Sequence, residues 1–152
     1  VLVELGLPVK SLTLFAPACT LELFDANISR HLGQEVERFA LFNLTDEVEQ
    51  DDNVGGVYHK SLLYLVTEAF ETRHNATAAE EAERKLVERV RRSIGSEVKP
   101  GNEKTVIRTL GVPQAVKPKS KSTSHGGFDN DEDTLNSMLR IIAGKQKLAK
   151  EF

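Results

Sequence analysis

Two short apolar runs, residues 9–16 and 38–44, constrain the fold most, because each is apolar along most of its length. A strand that is apolar on both sides is typical of a parallel sheet covered by helices, not of an antiparallel sheet with one wet face. Between the runs, Thr20 precedes apolar residues at helical spacing and Gly33 follows them, which predicts a helix from about 20 to 32. The order strand, helix, strand predicts a βαβ unit with a right-handed crossover.

The rest of the chain continues this alternation. Apolar residues at helical spacing predict helices near residues 59–73, 77–94 and 134–148, and a short apolar run predicts a third strand over 105–110. A polar linker and a long proline-containing loop occupy the remainder of residues 95–124. The sequence therefore predicts a single α/β domain over residues 1–152, built as a three-layer sandwich with a partial parallel sheet between helices.

Composition and charge exclude several classes of protein. The chain has 152 residues, 39% of them hydrophobic, and no apolar run approaches the roughly 20 residues that span a bilayer, so we predict no membrane partner. A formal net charge of −3 predicts no nucleic acid partner. Lys117, Lys119 and Lys121 form a local basic cluster, which is either a solvated loop or a contact for a phosphate or an anionic surface.

The single cysteine, Cys19, cannot form an internal disulfide or a zinc cluster. This cysteine usage suits a reducing compartment and predicts a cytoplasmic protein. No cationic residue adjoins Cys19 in sequence to lower its pKa, which favours a buried small side chain over a nucleophile.

A histidine in a glycine-containing loop is the best candidate for a catalytic group. His125 precedes the last predicted helix, and Gly126 and Gly127 leave room beside its imidazole. Asp46 directly follows the second predicted strand. Because open α/β sheets bind ligands at the carboxyl ends of their strands, a carboxylate and an imidazole there can act as the acid and base of a nucleophilic triad. The alternatives are a mobile surface loop for His125 and a turn-capping carboxylate for Asp46.

A second acidic pattern suggests a metal site but fails the full test. Asp129, Asp131 and Asp133 have the alternation that begins a calcium loop. Thr134 stands where that loop needs glycine, and Arg140 stands where it needs a bidentate glutamate. We interpret the acids as first-turn residues that favour the helix dipole, and we predict no metal and no cofactor.

Three short stretches resemble the last three strands of an α/β-hydrolase, in which the triad acid and base follow the nucleophile along the chain. They are Ala16-Pro17-Ala18, Thr45-Asp46 and Ser124-His125-Gly126. Residues 11–20, 39–71 and 120–142 are similar to uncharacterised bacterial hydrolase-like proteins of that superfamily. The resemblance implies that Asp46 is the triad acid and His125 the base. The substitutes for the acid are Glu47, Glu49, Asp51 and Asp52.

The resemblance also implies a missing part. The nucleophile elbow G-x-S-x-G does not occur in the chain, and in this superfamily it lies upstream of the strand that here begins near Val9. We therefore expect the C-terminal half of a serine-dependent ester or amide hydrolase, inactive alone, which acts on a small-molecule ester or amide when complete. The first strand would then have an unpaired outer edge through which the chain can associate.

The alternative is a non-catalytic interaction module of hydrolase-like architecture. Two triad members without an attacking group cannot carry out acyl transfer, so the sequence fits this class as well. Its contact surface would be the charged side of the predicted helix 77–94 or the basic loop.

Overall fold

The structure is a computed structural model that describes residues 5–17, 19–45, 48, 85, 88–98 and 104–152. In chain order its elements are strand β1 (Val9–Phe15), helix α1 (Leu21–Asn27), a 3₁₀ turn (Ser29–His31), strand β2 (Val36–Leu44), helix α2 (88–94), strand β3 (Ser96–Val98), strand β4 (Thr105–Leu110), a second 3₁₀ turn (His125–Gly127) and helix α3 (Glu132–Ala143). The predicted helix 59–73 lies outside these ranges. No helix in the described ranges is long and apolar enough to cross a membrane.

The described strands form a mixed sheet in the order β1-β2-β4-β3. β1 and β2 are parallel, with Val9 opposite Val36, as the βαβ prediction requires. β4 is antiparallel to β2, with Leu44 opposite Thr105, so the prediction of three parallel strands was wrong for residues 105–110. β3 and β4 are joined by too few residues for a parallel crossover, which needs a dozen or more, so they pair antiparallel, and β4 then lies between β3 and β2.

From Phe39 to Leu44, the apolar side chains of β2 point alternately to two cores on the two faces of the sheet. One core packs beneath α1 and α2 and contains Phe24, Val36, Phe39, Leu41, Val90 and Ile94. The other packs beneath α3 and contains Ala16, Ala40, Phe42, Leu44, Ile107, Val116, Phe128 and Ile141. Helices therefore cover both faces of the described sheet, in agreement with an α/β architecture.

Helix α1 begins where the sequence predicts and ends earlier. The Thr20 hydroxyl accepts a hydrogen bond from the Leu23 amide at 3.2 Å and caps the first turn. The helix ends at Asn27, and the chain continues as the 3₁₀ turn Ser29–His31 up to Gly33, whose φ is +77°. The region predicted as one helix is thus an α-helix followed by a tighter turn.

β1 lies at one edge of the described sheet. Its side chains are half-buried except for Lys10, which is exposed. Among the described strands its neighbour is β2, and the unpaired outer edge stays a prediction. A lysine on an edge strand opposes pairing with another chain.

Candidate functional site

The candidate residues were expected at the edge of the sheet where the strands end. β1 and β2 are parallel, so Phe15 and Leu44 lie at the same edge, which we call the carboxyl edge. β4 runs the other way, and its last residue, Leu110, lies opposite Phe39, toward the other edge. A loop that simply followed β4 would leave His125 far from the end of β2.

The chain instead returns to the carboxyl edge along helix α3. Arg38, near the start of β2, donates a hydrogen bond of 2.8 Å from Nη1 to the carbonyl of Ile142, so the end of α3 lies away from the carboxyl edge. Residues 116–122 then follow α3 toward its beginning. The Lys119 amide donates to the Ser137 hydroxyl at 2.7 Å, and the Lys121 amide donates to the Asp131 carboxylate at 2.7 Å.

Three phenylalanine rings fix the position that the returning chain reaches. Phe128 is 2% exposed and stacks on Phe15, with ring centroids 5.7 Å apart and planes at 22°. Phe15 in turn packs on Phe42 of β2 at 5.3 Å. Phe128 is only three residues after His125, so the 3₁₀ turn that carries His125 lies at the carboxyl edge of β1 and β2.

A buried polar cluster holds this arrangement; we call Ser120, Asp131 and Thr134 the Asp131 network. The Thr134 hydroxyl donates to Asp131 Oδ2 at 2.6 Å and lies 2.7 Å from the Ser120 hydroxyl. The Asp131 carboxylate also caps α3 by accepting from the Thr134 amide at 3.1 Å. Both hydroxyl side chains are fully buried, so leaving either one without its partner would be costly.

The pKa of Asp131 reflects two opposing effects. Burial raises the pKa, but hydrogen bonds from the Thr134 hydroxyl and from the amides of Lys121, Thr134 and Asp133 outweigh it, so that the pKa lies below its ordinary value. The carboxylate is therefore held in its ionised form. That form accepts several hydrogen bonds at once and ties residues 116–122 to α3.

Serine side chains also shape the turn that carries His125. His125 is half-buried, and the Ser122 hydroxyl donates to the Ser124 carbonyl at 2.9 Å. A methyl group added at Gly127 would lie 2.6 Å from Ser122 Oγ and 3.1 Å from Ser124 Oγ, whereas Gly126 has open space around it. The glycine that the turn needs for close packing is therefore Gly127.

The predicted triad acid, Asp46, lies outside the described residues, as do its substitutes Glu47, Glu49, Asp51 and Asp52. The described residues just before it show an unusual feature. In the described part of the chain, Asn43 Oδ1 and Thr45 Oγ1 are buried without a hydrogen-bond partner. These two polar groups do not stand out in the sequence, since a lone Asn or Thr in a strand carries no distinctive pattern.

The remaining sequence candidates have structural roles. Asp131 caps α3, and Asp133 pairs with Lys121 Nζ at 2.8 Å, so these acids serve the helix start. Within the described ranges, no three His, Cys, Asp or Glu residues are grouped to hold a metal ion. Burial raises the pKa of the Cys19 thiol, which disfavours the thiolate that a nucleophile needs.

An open groove of about 790 Å³ lies away from the carboxyl edge, between the end of α1 and helix α2. Asp25 and Arg89 on its wall form an ion pair, and Ser29 and Ser93 hydrogen-bond across it at 2.9 Å. Its lining does not include His125, so the groove is separate from the site at the carboxyl edge.

The geometry thus brings His125 to the end of β2, where Asp46 follows in sequence, and builds a buried polar support behind it. Comparison with models of protein families, with curated proteins and with solved structures found no match.

Proposed function

We propose that this chain supplies the acid and the base of a serine-dependent ester or amide hydrolase of the α/β-hydrolase type, with Asp46 as the acid and His125 as the base. The return of the chain along α3 carries the proposal, because it brings the His125 turn to the edge at which β2 ends. Asp46 follows Leu44, the last residue of β2, by only two positions.

The chemistry follows from these two groups. A carboxylate beside an imidazole orients the ring and stabilises its protonated form, and the imidazole takes a proton from a hydroxyl group that attacks the substrate. The chain contains no G-x-S-x-G sequence, so the attacking serine comes from residues outside this chain. On its own the chain is inactive.

One feature of the fold departs from the resemblance. The acid and base were expected after neighbouring parallel strands, whereas β4 is antiparallel to β2. In this chain β4 leads away from the carboxyl edge, and residues 116–124 lead back to it and place the base there. The Asp131 network, which ties that segment to α3, is therefore part of what positions His125.

A double-mutant cycle tests the pairing of the two groups. Asp46→Ala, His125→Ala and the double variant are compared by urea denaturation. Residues in contact give a coupling energy of at least about 0.5 kcal/mol. Glu47→Ala combined with His125→Ala is the matched control, and we expect no coupling in it. Equal coupling in both cycles, or none in either, would remove Asp46 from the site.

The activity is tested with a fluorophosphonate probe, which reacts with activated serines. The isolated chain should not be labelled. The full-length protein, with the residues that precede Val1, should be labelled at a serine outside residues 1–152, and His125→Ala should abolish the labelling. A full-length protein that resists the probe in all forms would favour the second candidate.

The second candidate is a non-catalytic interaction module. A specific observation favours it: among the described residues, several exposed lysines in the segments along α3 make no ion pair, on a surface that catalysis at the carboxyl edge does not use.

A further inference from the structure

Two segments of the chain lie along helix α3, and each carries three lysines. The first, residues 116–122, is the returning segment that precedes His125. The second is the tail, residues 145–152. They meet where the Lys117 amide donates to the Gln146 side-chain oxygen at 2.8 Å. We call this surface the lysine ridge; its lysines are Lys117, Lys119, Lys121, Lys145, Lys147 and Lys150.

The first segment displays its lysines at a regular repeat. From 116 to 122 burial alternates strictly: Val116, Pro118, Ser120 and Ser122 are buried, and the three lysines between them are exposed. The amides of Lys119 and Lys121 donate to Ser137 and to Asp131, the N-cap of α3. These two acceptor residues are six positions apart, which corresponds to about 9 Å along a helix. Two residues of chain cover most of that distance only when extended, so the segment has the side-chain period of a β-strand.

The tail is held beside this segment by contacts of its own. Arg140 Nε donates to the Gln146 carbonyl at 3.0 Å, and the Arg140 guanidinium also pairs with Glu151. The Phe152 amide donates to Asn136 Oδ1 at 2.9 Å. The tail therefore runs back along α3 in the same direction as residues 117–121, and its three lysines are exposed.

The charge on the ridge is unbalanced. Among the nearby acids, Glu151 pairs with Arg140 and Asp133 pairs with Lys121, while Asp131 and Glu132 also lie near Lys121. Within the described part of the chain, the other five lysines of the ridge make no ion pair. A chain whose formal net charge is −3 thus carries a concentrated positive surface.

We infer that the lysine ridge binds an extended acidic segment of a partner protein, with Asp or Glu at alternate positions. Alternate side chains of an extended peptide repeat at about 6.6 Å, which is also the repeat of Lys117, Lys119 and Lys121. A peptide that lies alongside the segment meets Lys117 and Lys119 with one carboxylate each, while Lys121 already pairs with Asp133. This interaction does not depend on the site at His125.

The arrangement of the lysines favours carboxylates in register over a phosphate site. Bidentate phosphate recognition uses the planar fork of arginine, which binds two oxygens at once, whereas lysine binds as a point charge. The one arginine between the two segments, Arg140, is only 13% exposed and is occupied by Gln146 and Glu151. The ridge offers point charges at a fixed repeat, and the partner supplies point charges at the same repeat.

Two fluorescein-labelled peptides of the same composition test the inference by anisotropy. One is (Glu-Ser)₄, with alternating charge, and the other is (Glu-Glu-Ser-Ser)₂, with the same charge in blocks. The alternating peptide should bind several-fold more tightly, and its binding should weaken as salt is raised, because exposed charges are screened. Lys117→Gln combined with Lys119→Gln should weaken binding on the order of tenfold, given the small energy of each surface pair.

The matched control removes the same charge elsewhere. Lys10 and Lys104 are exposed and lie off the ridge, so Lys10→Gln combined with Lys104→Gln should leave binding unchanged. Equal affinity for the two peptides, or an equal loss in the control, would reduce the effect to net charge and overturn the inference. Tighter binding to oligothymidylate or to phosphatidylserine vesicles than to the alternating peptide would also overturn it and assign the ridge to nucleic acid or to a membrane surface.

Discussion

The hydroxyl oxygens of Ser120 and Thr134 lie 2.7 Å apart, and both side chains are fully buried. Thr134 has one hydroxyl proton and donates it to the Asp131 carboxylate, so Ser120 donates to Thr134. The Ser120 oxygen in turn accepts from the Ser122 amide at 3.2 Å. This chain of hydrogen bonds connects the start of α3 with the segment that leads to His125.

Replacing Thr134 by valine tests the importance of that connection. Valine has nearly the same shape but no hydroxyl, so Ser120 and Asp131 each lose a buried partner. We expect Thr134→Val to lower the free energy of unfolding by about 1–3 kcal/mol in urea denaturation. Thr123 is exposed, and Thr123→Val should change the same quantity by less than about 0.5 kcal/mol. Equal effects of the two substitutions would contradict the role of the network.

The lowered pKa of Asp131 predicts how stability depends on pH. A carboxyl whose pKa is lower in the folded state stabilises the fold above its ordinary pKa of 3.8, and this contribution is lost as the pH falls through the folded value. Asp131→Asn should therefore be destabilising at about pH 7, and the difference should shrink as the pH falls below 3.8. Asp129 is exposed, and Asp129→Asn is the control, which should stay within about 0.5 kcal/mol of the unmodified protein. A pH-independent difference between Asp131→Asn and the unmodified protein would count against the ionised network.

Two glycines with the same backbone conformation should tolerate alanine very differently. Gly111 has φ of +68° and Gly6 has φ of +67°. A methyl group at Gly111 would lie 2.0 Å from the Glu37 carbonyl oxygen, whereas one at Gly6 would meet nothing within 4 Å. Gly6→Ala should cost about 1–2 kcal/mol from backbone strain alone. Gly111→Ala should cost roughly 3–4 kcal/mol. Denaturant unfolding measures both, and similar values would mean that β4 does not approach Glu37 so closely.

The raised pKa of Cys19 predicts slow alkylation. Because burial disfavours the thiolate, iodoacetamide should modify Cys19 several-fold more slowly at neutral pH in the folded protein than in urea. The rate should continue to rise above pH 9, the ordinary pKa of the group. Fast labelling of the folded protein at neutral pH would instead restore Cys19 as a candidate nucleophile.

The elements that sequence predicted correctly depend on local patterns. The apolar runs of β1 and β2 predicted a sheet with helices on both faces, which is the arrangement of the two cores. Thr20 predicted the start of α1, because a cap depends only on the first turn of its helix. These features follow from side-chain periodicity and capping, which any stretch of the chain carries within itself.

The direction of β4 could not be predicted in the same way. Residues 105–110 were assigned to a parallel strand on their apolar content, although Arg108 interrupts the run. A strand's direction depends on its neighbours, and β4 pairs with β3 on one side and β2 on the other. The short, polar β3 has no strong pattern and was assigned to a linker.

For the candidate site, the position of His125 before the last helix was correct, but its support was missed. The alternation of lysine with Pro118, Ser120 and Ser122 was a usable signal, because a period of two indicates a segment with one buried side. Sequence alone does not indicate what buries that side. Thr134, the partner of Ser120 on α3, lies 14 residues further along the chain, and only the fold brings the two together.

The central position of β2 has a consequence for how the molecule opens. β2 has a strand on either side and a core on each face, so its amides should be the last to exchange with deuterated solvent, through global unfolding. Residues 116–124 form no strand of the described sheet, and apart from Val116 in the core they are held to α3 largely by hydrogen bonds to side chains, so they should exchange earlier, in a smaller cooperative unit. The His125 turn therefore packs, through Phe128 and Phe15, against the strand that should exchange most slowly. It nevertheless belongs to a segment that can unfold locally and refold while the sheet stays folded.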